Sequence, residues 1–455
     1  MRCADLAGQR IAVWGYGREG RAALTALRLR LPESRLTLLC LPTEVETAKA
    51  AFGTAIDVRG GEPDAATLRG FEVVVKSPGV SAYKPALLEA QAAGVRITSG
   101  TALWFGENPQ ARVIAVTATK GKSTTSALIA HLLRGLGKRT ALAGNIGMPL
   151  LELLDIATPP SWWVVELSSF QTSEAGDVEV GVIGNLYEEH LDWHGSRERY
   201  VLDKLTLAPH ARTLVVNALQ LELLQRTSTH PQRVMFASAP GWHLEGDGIF
   251  RGTQRVFDLD KLPLPGQHNA LNACAALAAI EAAGEDALAA AVHLSSFRPL
   301  PHRLQTLGTR DGYTWINDSI ATTPAATLEA LHSLRGRKVC VLLGGFDRGV
   351  DWRGFAAEME REPPHVAICL GANGARIAAE LEKHRCGFLL ECATTLAEAV
   401  GMARSFTPPG GVILLSPGAP SFDAFRDYAE RGRVFAALAG FDPATIAGIE
   451  GLGIA

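Results

Sequence analysis

Nowhere in the 455 residues is there an uncharged apolar span long enough to cross a bilayer. The opening Met1-Arg-Cys-Ala-Asp-Leu-Ala-Gly8 lacks the apolar run of a signal peptide. Cysteine is sparse. The seven, Cys3, Cys40, Cys274, Cys340, Cys369, Cys386 and Cys392, form no C-x-x-C pair and no disulfide-like framework, which fits a reducing compartment. A soluble cytoplasmic protein is the expectation. Charge of one sign is missing as well: 44 Lys and Arg against 47 Asp and Glu leave a formal net charge of −3. No global field draws such a chain to nucleic acid or anionic lipid, so neither partner is expected, and substrate anions must be met by local groups. Tandem repeats and low-complexity segments are absent too.

Short β-rich apolar runs alternate with Ala/Leu-rich helical stretches from end to end, the pattern of parallel α/β sheets. Predicted strands are Arg10 to Trp14, Val73 to Lys76, Val113 to Thr117, Trp162 to Leu167, Gly181 to Asn185, Thr213 to Asn217, Lys338 to Leu343, Val366 to Leu370 and Gly411 to Leu415. The length predicts about three domains. Turn-rich Gly106-Glu-Asn-Pro109 and proline-interrupted Arg298-Pro-Leu-Pro-His-Arg303 suggest the boundaries, giving residues 1–105, 106–304 and 305–455. Val234 to Gly266, rich in Gly, Pro and aromatics, reads as a β-meander or a long insertion.

The most informative stretch is Val113-Ile-Ala-Val-Thr-Ala-Thr119-Lys120-Gly121-Lys122-Ser123-Thr124, an apolar strand entering a turn that opens a helix. Such a turn aims several backbone N–H groups and a helix N-terminus at one point, which suits a polyphosphate. Lys122 would neutralise β/γ-phosphate charge and the Ser123 hydroxyl would hold Mg²⁺. Ile129, Leu132, Leu133 and Leu136 follow at i, i+3, i+4 and i+7, so an amphipathic helix is predicted, ending near Gly135 and Gly137. A Gly-Lys surface turn before an ordinary helix is the bland alternative.

A second glycine turn, Gly15-Tyr-Gly17-Arg18-Glu19-Gly20, follows the strand at Ile11. It is a G-x-G-x-x-G fingerprint in the setting of a dinucleotide fold, but a nicotinamide enzyme wants an acidic residue about 20 positions on. The corresponding strand end is Leu39-Cys40-Leu41, which disfavours NAD. The turn still suits a diphosphate, through close backbone approach at Gly17 and a helix dipole facing the anion. A turn kept only for helix-sheet packing remains the other reading.

The phosphate loop departs from G-x-x-x-x-G-K-[ST], because Val116 stands where the first glycine would be. Its shorter T-[AG]-T-x-G-K-[ST] form resembles the Mur ligase and folylpolyglutamate synthase superfamily, which joins amino acids to carboxylates using ATP. The resemblance continues through Gly144-Asn145-Ile-Gly147, Glu166-Leu-Ser-Ser-Phe-Gln171, Asn185 to Ser196 with Tyr200 and Lys204, and Gly266-Gln-His268-Asn269-Ala-Leu-Asn272. It implies three α/β domains: a Rossmann-like UDP-binding domain, a central P-loop-type ATPase domain and a C-terminal Rossmann-like amino-acid-binding domain. By the same resemblance Gly17, Arg18, Glu19, Ser77, Gly79 and Asn145 contact the UDP substrate. Thr119 to Thr124, Asn269, Arg303 and Asp318 bind ATP, with Lys122, His190 and Lys204 catalytic. One Mg²⁺ falls to Ser123 and Glu166, and a second to His190 and to Lys204 carbamylated by CO₂. Carbamylation needs a neutral amine, hence burial or nearby cations. Read without the family, Lys204 is a solvated helix residue, Asn269 a helix cap, and His194 a helix-end or core histidine.

Leu415-Ser-Pro417 through Ser421, Asp423, Phe425, Tyr428, Arg431 and Gly432 is similar to the closing signature of the D-glutamate-adding Mur ligase. That subfamily implies UDP-N-acetylmuramoyl-L-alanine and glutamate as substrates, an acyl-phosphate intermediate, and a C-terminal domain closing on the nucleotide. Thr322, Arg348, Ser421 and Tyr428 then face the acceptor amino acid. Four positions differ from the D-glutamate-adding ligase: a lysine becomes Ile320, an asparagine becomes Thr323, another lysine becomes Arg348, and a phenylalanine becomes Tyr428. Replacing a point charge by a planar fork is not neutral where a carboxylate must be oriented. L-glutamate is therefore favoured over D-glutamate, with drift at unchanged specificity as the alternative. A folylpolyglutamate synthase-like ligase or a nucleotide-binding protein without catalysis are the remaining rivals. A monomer is expected.

Overall fold

Runs such as Val113-Ile-Ala-Val-Thr117 and Val339-Cys-Val-Leu-Leu343 are buried at every position, which requires helices on both sheet faces and predicts parallel strands. A computed structural model, describing residues 1–187, 191–384, 387–446 and 452–455, has this arrangement in three sheets. The first contains β1 (Ile11–Trp14), β2 (Leu36–Cys40), β3 (Asp57–Gly60), β4 (Val73–Lys76) and β5 (Arg96–Ser99) in the order β3-β2-β1-β4-β5, all parallel. The order reverses at β1 and β4, and ligands of open α/β sheets sit at such a switch, beyond the strands' carboxyl ends.

The second sheet is built from β6 (Val113–Thr117), β7 (Thr140–Gly144), β8 (Trp162–Glu166), β9 (Val178–Ile183), β10 (Ala211–Asn217) and β11 (Arg233–Phe236). Its order is β11-β10-β9-β6-β8-β7, with the C-terminal Gly453–Ile454 added antiparallel to β7. Val116 pairs Glu166, so the carboxylate stands at the strand ends beside the loop that leaves β6. A buried core joins these two sheets through Leu103, Trp104 and Phe105, and Trp104 meets Trp163 edge-on at 4.7 Å. β12 (Trp242–Glu245), β13 (Gly248–Arg251) and β14 (Gln254–Asp258) form an antiparallel meander, the first of the two forms expected for that segment.

A second compact unit takes in Leu264–Gln267 and the chain from Arg298, and carries β15 (Gln305–Arg310), β16 (Tyr313–Asn317), β17 (Val339–Leu343), β18 (Val366–Cys369), β19 (Leu389–Cys392) and β20 (Val412–Leu415). The order is β15-β16-β20-β17-β18-β19, parallel except for the β15–β16 hairpin. Two apolar clusters cover the two faces of this sheet. Among the described residues no helix is long and apolar enough to cross a membrane.

The expected strands are present, with one instructive shift. Gly181 to Asn185 was the expected segment, whereas β9 runs Val178–Ile183. The Gly184 N–H still bonds the Thr117 carbonyl, and Asn185 then turns its polar side chain onto the phosphate loop.

Candidate active site

The helix Lys122–Gly135 starts at Gly121, which caps it at φ +84°, a left-handed conformation that favours glycine. A Cβ there would also collide with Asn272 Oδ1. Asn272 is held in turn, accepting from Thr125 Oγ1 at 3.3 Å and donating to Asn269 Oδ1 at 3.2 Å. Asn185 grips the loop from the other side. Its Oδ1 accepts from Lys120 N and its Nδ2 donates to Lys120 O, both at 2.9 Å. Thr119 N donates to the Asn185 carbonyl at 3.2 Å, and Thr119 Oγ1 shares a 2.6 Å hydrogen bond with Tyr200 Oη. Thr119, Ser123 and Thr124 are buried, whereas Lys120, Gly121 and Lys122 are half-exposed at the mouth of the turn. This concave run of backbone, opening a four-turn helix, is built to receive an anion.

Glu166 is fully buried at the end of β8. Its Oε1 accepts from Asn145 Nδ2 at 2.6 Å, while Oε2 has no hydrogen-bond partner among the described residues. A buried, unpartnered carboxylate oxygen is costly unless something binds it, and a hard divalent cation fits that donor. Lys204 reaches the same loop from the helix Arg197–Leu205, donating to Ala118 O at 2.9 Å and Thr117 Oγ1 at 3.3 Å. At 2 % exposure it is not the solvated helix lysine of the bland reading, because its stem is packed beneath the loop. His194 is a core histidine, as expected: Nδ1 meets Asp203 Oδ2 at 2.6 Å and Nε2 meets Ser169 Oγ at 2.9 Å. His190 lies outside the described residues.

Gly17, Arg18, Glu19, Ser77, Gly79 and Asn145 all line one cavity of about 540 Å³ at the switch point of the first sheet. The two readings of the glycine turn divide here by residue. A Cβ on Gly20 would overlap the Gly15 carbonyl, so Gly20 serves helix-sheet packing. A Cβ on Gly17 meets nothing within 4 Å, so packing does not demand glycine there and cavity space is what a side chain would fill. Gly17 caps the helix Arg18–Arg30, and Arg18 Nη1 bonds the Gly147 carbonyl across the cavity. Burial, with the nearby Glu174 and Glu152 charges, pushes the Glu19 carboxyl up to about 7. Behind it Lys76 and Glu174 form a buried ion pair at 2.8 Å.

In the second unit His302 and Leu304 both have positive φ, 61° and 41°, which side chains rarely adopt. The bend is over-determined: His302 N donates to Gln305 Oε1, Ile320 N to His302 O, and Leu304 N to Asp318 Oδ1 at 3.0 Å. Strain maintained by surrounding bonds is common at ligand sites. Arg303 sits inside this bend, and Asp318, pushed up to about 6 by burial, also accepts from Ser416 Oγ at 2.7 Å. Arg431 is buried, its acidity drawn to about 10 by desolvation; it donates to Ser319 O and Ala419 O, both at 2.9 Å. It thereby ties the loop after β16 to the loop after β20. Ser421 is buried on the latter, Thr322 is half-buried beside the former, and Arg348 and Tyr428 are exposed.

One cluster therefore gathers the phosphate loop, Glu166, Asn145, Lys204 and Asn269; a second gathers Arg303 with Asp318. Thr322, Arg348 and Ser421 lie on separate loops of their unit, and Tyr428 opens the helix Tyr428–Leu438. Asn185, Tyr200 and Asn272 had no assigned role in the sequence reading, yet they fix the loop's shape. Their only signal was membership in the motifs around them.

Residues 116–280 match the Mur ligase middle domain and residues 302–418 the Mur ligase glutamate ligase domain. The chain is 50 % identical, over all of both chains, to the UDP-N-acetylmuramoyl-L-alanine–L-glutamate ligase of Xanthomonas euvesicatoria pv. vesicatoria. It is 40 % identical to the enzyme of that name from Salinispora tropica, over 96 % of this chain and 98 % of that one. In fold it is similar to the UDP-N-acetylmuramate–alanine ligase of Thermotoga maritima, with a TM-score of 0.61 at 21 % identity over 95 % of this chain and 99 % of that one. A MurF ligase from the same organism, solved with ADP, gives a TM-score of 0.58 at 14 % identity over 98 % and 97 %. A glycine-capped turn after β6, a buried carboxylate beside it and matches to these two domains over more than half the sequence make one assignment: the chain belongs to the Mur ligase family.

Proposed function

We propose that this protein is an ATP-dependent ligase that joins L-glutamate to the alanine carboxylate of UDP-N-acetylmuramoyl-L-alanine, a step in making peptidoglycan precursor. The full-length likeness to relatives named for that reaction carries the reading. The domain division 1–105, 106–304 and 305–455, for UDP substrate, ATP and amino acid, belongs to the same proposal, as do a cytoplasmic location and a monomeric state.

The cavity at Gly17 takes the uridine diphosphate moiety, with the helix N-terminus at Gly17 facing the anion. The turn from Thr119 to Thr124 cradles the ATP phosphates, using backbone N–H groups from Gly121 onward because those of Thr119 and Lys120 are bonded to Asn185, and Lys122 offsets charge on the transferring phosphoryl group. A carboxylate oxygen of the alanine attacks the γ-phosphorus and the bond to ADP breaks. The glutamate amine then attacks the acyl carbon, phosphate leaves, and an amide remains. Water exclusion is essential, since water would destroy the acyl phosphate. Magnesium, when bound, supplies positive charge to the phosphate oxygens; Ser123 and Glu166 Oε2 suit one ion, and His190 with carbamylated Lys204 a second. Arg303, Asp318 and Asn269 contact the nucleotide. Thr322, Arg348, Ser421 and Tyr428 hold the amino acid.

Phosphate release from ATP tests this directly. It should require UDP-N-acetylmuramoyl-L-alanine together with L-glutamate. Activity with D-glutamate alone would reject the stereochemical assignment, activity with a folate acceptor would favour a folylpolyglutamate synthase, and nucleotide binding without turnover would leave a non-catalytic protein.

A further inference from the structure

The loop after β17 carries an aromatic residue, Phe346, two positions before Arg348. The loop after β20 carries another, Phe422, next to Ser421. The two rings meet edge-to-face, 6.5 Å between centroids at 69°, yet they stay 42 % and 61 % exposed. Neither belongs to the apolar clusters on the faces of this sheet. Exposed aromatic pairs on rigid loops expend conformational order without filling a core, and they suit the wall of a ligand site.

These loops are rigid. Gly344 N donates to Pro417 O at 2.7 Å and Phe346 N to Pro420 O at 2.8 Å, which lays one loop against the other. Asn373 Oδ1 accepts from Gly345 N at 2.8 Å, and Ala372 N donates to Asp423 Oδ2 at 3.0 Å, fixing the residue after Phe422. Asp347 is held by Arg376 Nε at 2.9 Å, and Arg353 is paired with Asp351. Arg348, between them, has no carboxylate partner among the described residues. An unneutralised guanidinium and a hydroxyl thus flank an apolar wall.

We propose that the Phe346–Phe422 pair is the surface on which the acceptor's methylene stem lies, and that it selects the acceptor's handedness. This rests on the glutamate-ligase reading. With the amine aimed at the acyl carbon and the α-carboxylate on Arg348, one enantiomer lays its two CH₂ groups on the rings. The other turns only its α-hydrogen towards them and sends its side chain elsewhere, losing the apolar contact. The pair is a specificity wall, distinct in role from the charged groups that anchor the substrate.

Phe346→Ala, Phe422→Ala and the double variant test it, with KM and kcat measured for L- and D-glutamate by phosphate release. Each single variant should raise the KM for L-glutamate about tenfold, equivalent to roughly 1.4 kcal/mol. KM for ATP and for the UDP substrate should hold within twofold. The double variant should narrow the L-to-D ratio of kcat/KM at least tenfold, and Phe422→Tyr, which keeps a ring, should leave it at the wild-type value. Unchanged L-glutamate KM and an unchanged ratio in the double variant would overturn the proposal, provided Arg348→Ala still abolishes glutamate-dependent turnover. Wild-type protein inactive with either glutamate would instead overturn the reading on which it rests. Both rings are exposed, so thermal melts of the variants should overlay that of the wild type.

Discussion

Asn185→Ala should weaken nucleotide binding without touching any group that contacts phosphate. The side chain makes two hydrogen bonds to the backbone of Lys120, one in each direction, at 2.9 Å. Each neutral bond contributes about 1 kcal/mol net, so the pair holds the loop by about 2 kcal/mol. At 1.4 kcal/mol per factor of ten, that corresponds to an open loop about 30-fold more populated. Nucleotide binding must then reorder the loop, and the cost appears as affinity. Thr119 N keeps its bond to the Asn185 carbonyl in the variant, which makes 30-fold an upper value. Calorimetric titration with a non-hydrolysable ATP analogue should show a Kd raised about 10- to 30-fold, with kcat at saturating ATP within about threefold of wild type. Asn185→Asp should be worse, since it sets an anionic oxygen against the Lys120 carbonyl. Kd values within twofold of wild type in both variants would refute the clamp.

Lys122→Ala should lower kcat by about 10²-fold or more while melting normally, and near-normal turnover would remove the phosphate-loop assignment. Glu19 has its folded pKa raised to about 7 from an ordinary 4.5, so the stability it contributes is whole below pH 4.5 and is lost as pH rises through 7. Melting temperatures from pH 5 to 8 should fall more steeply for wild type than for Glu19→Gln. Parallel pH profiles would show that Glu19 titrates like a free carboxyl.

Buried parallel strands were legible where apolar residues run without interruption, as at Val113 to Val116 and Val339 to Leu343, whereas the equally buried Thr140–Gly144, built from Thr, Ala, Leu and Gly, was not expected. Edge strands such as Asp57–Gly60, mostly exposed, carry no such run and escaped notice. Glycines with one obligatory conformation, Gly121 above all, marked the phosphate turn in the sequence. The side chains that hold that turn were harder to see: Asn185 and Asn272 are distant in sequence and act through the backbone they touch. Lys204 illustrates the same limit. Spacing alone leaves it on a helix surface, and only the fold brings its amine to the Ala118 carbonyl. Local pattern encodes elements; burial and partnership arise from tertiary contacts.

Isotope transfer from the acceptor carboxylate tests the central claim most directly. With ¹⁸O in the alanine carboxylate of UDP-N-acetylmuramoyl-L-alanine, mass spectrometry of the released phosphate after turnover with ATP and L-glutamate should find one ¹⁸O per phosphate. Unlabelled phosphate accompanied by amide product would contradict an acyl-phosphate ligase.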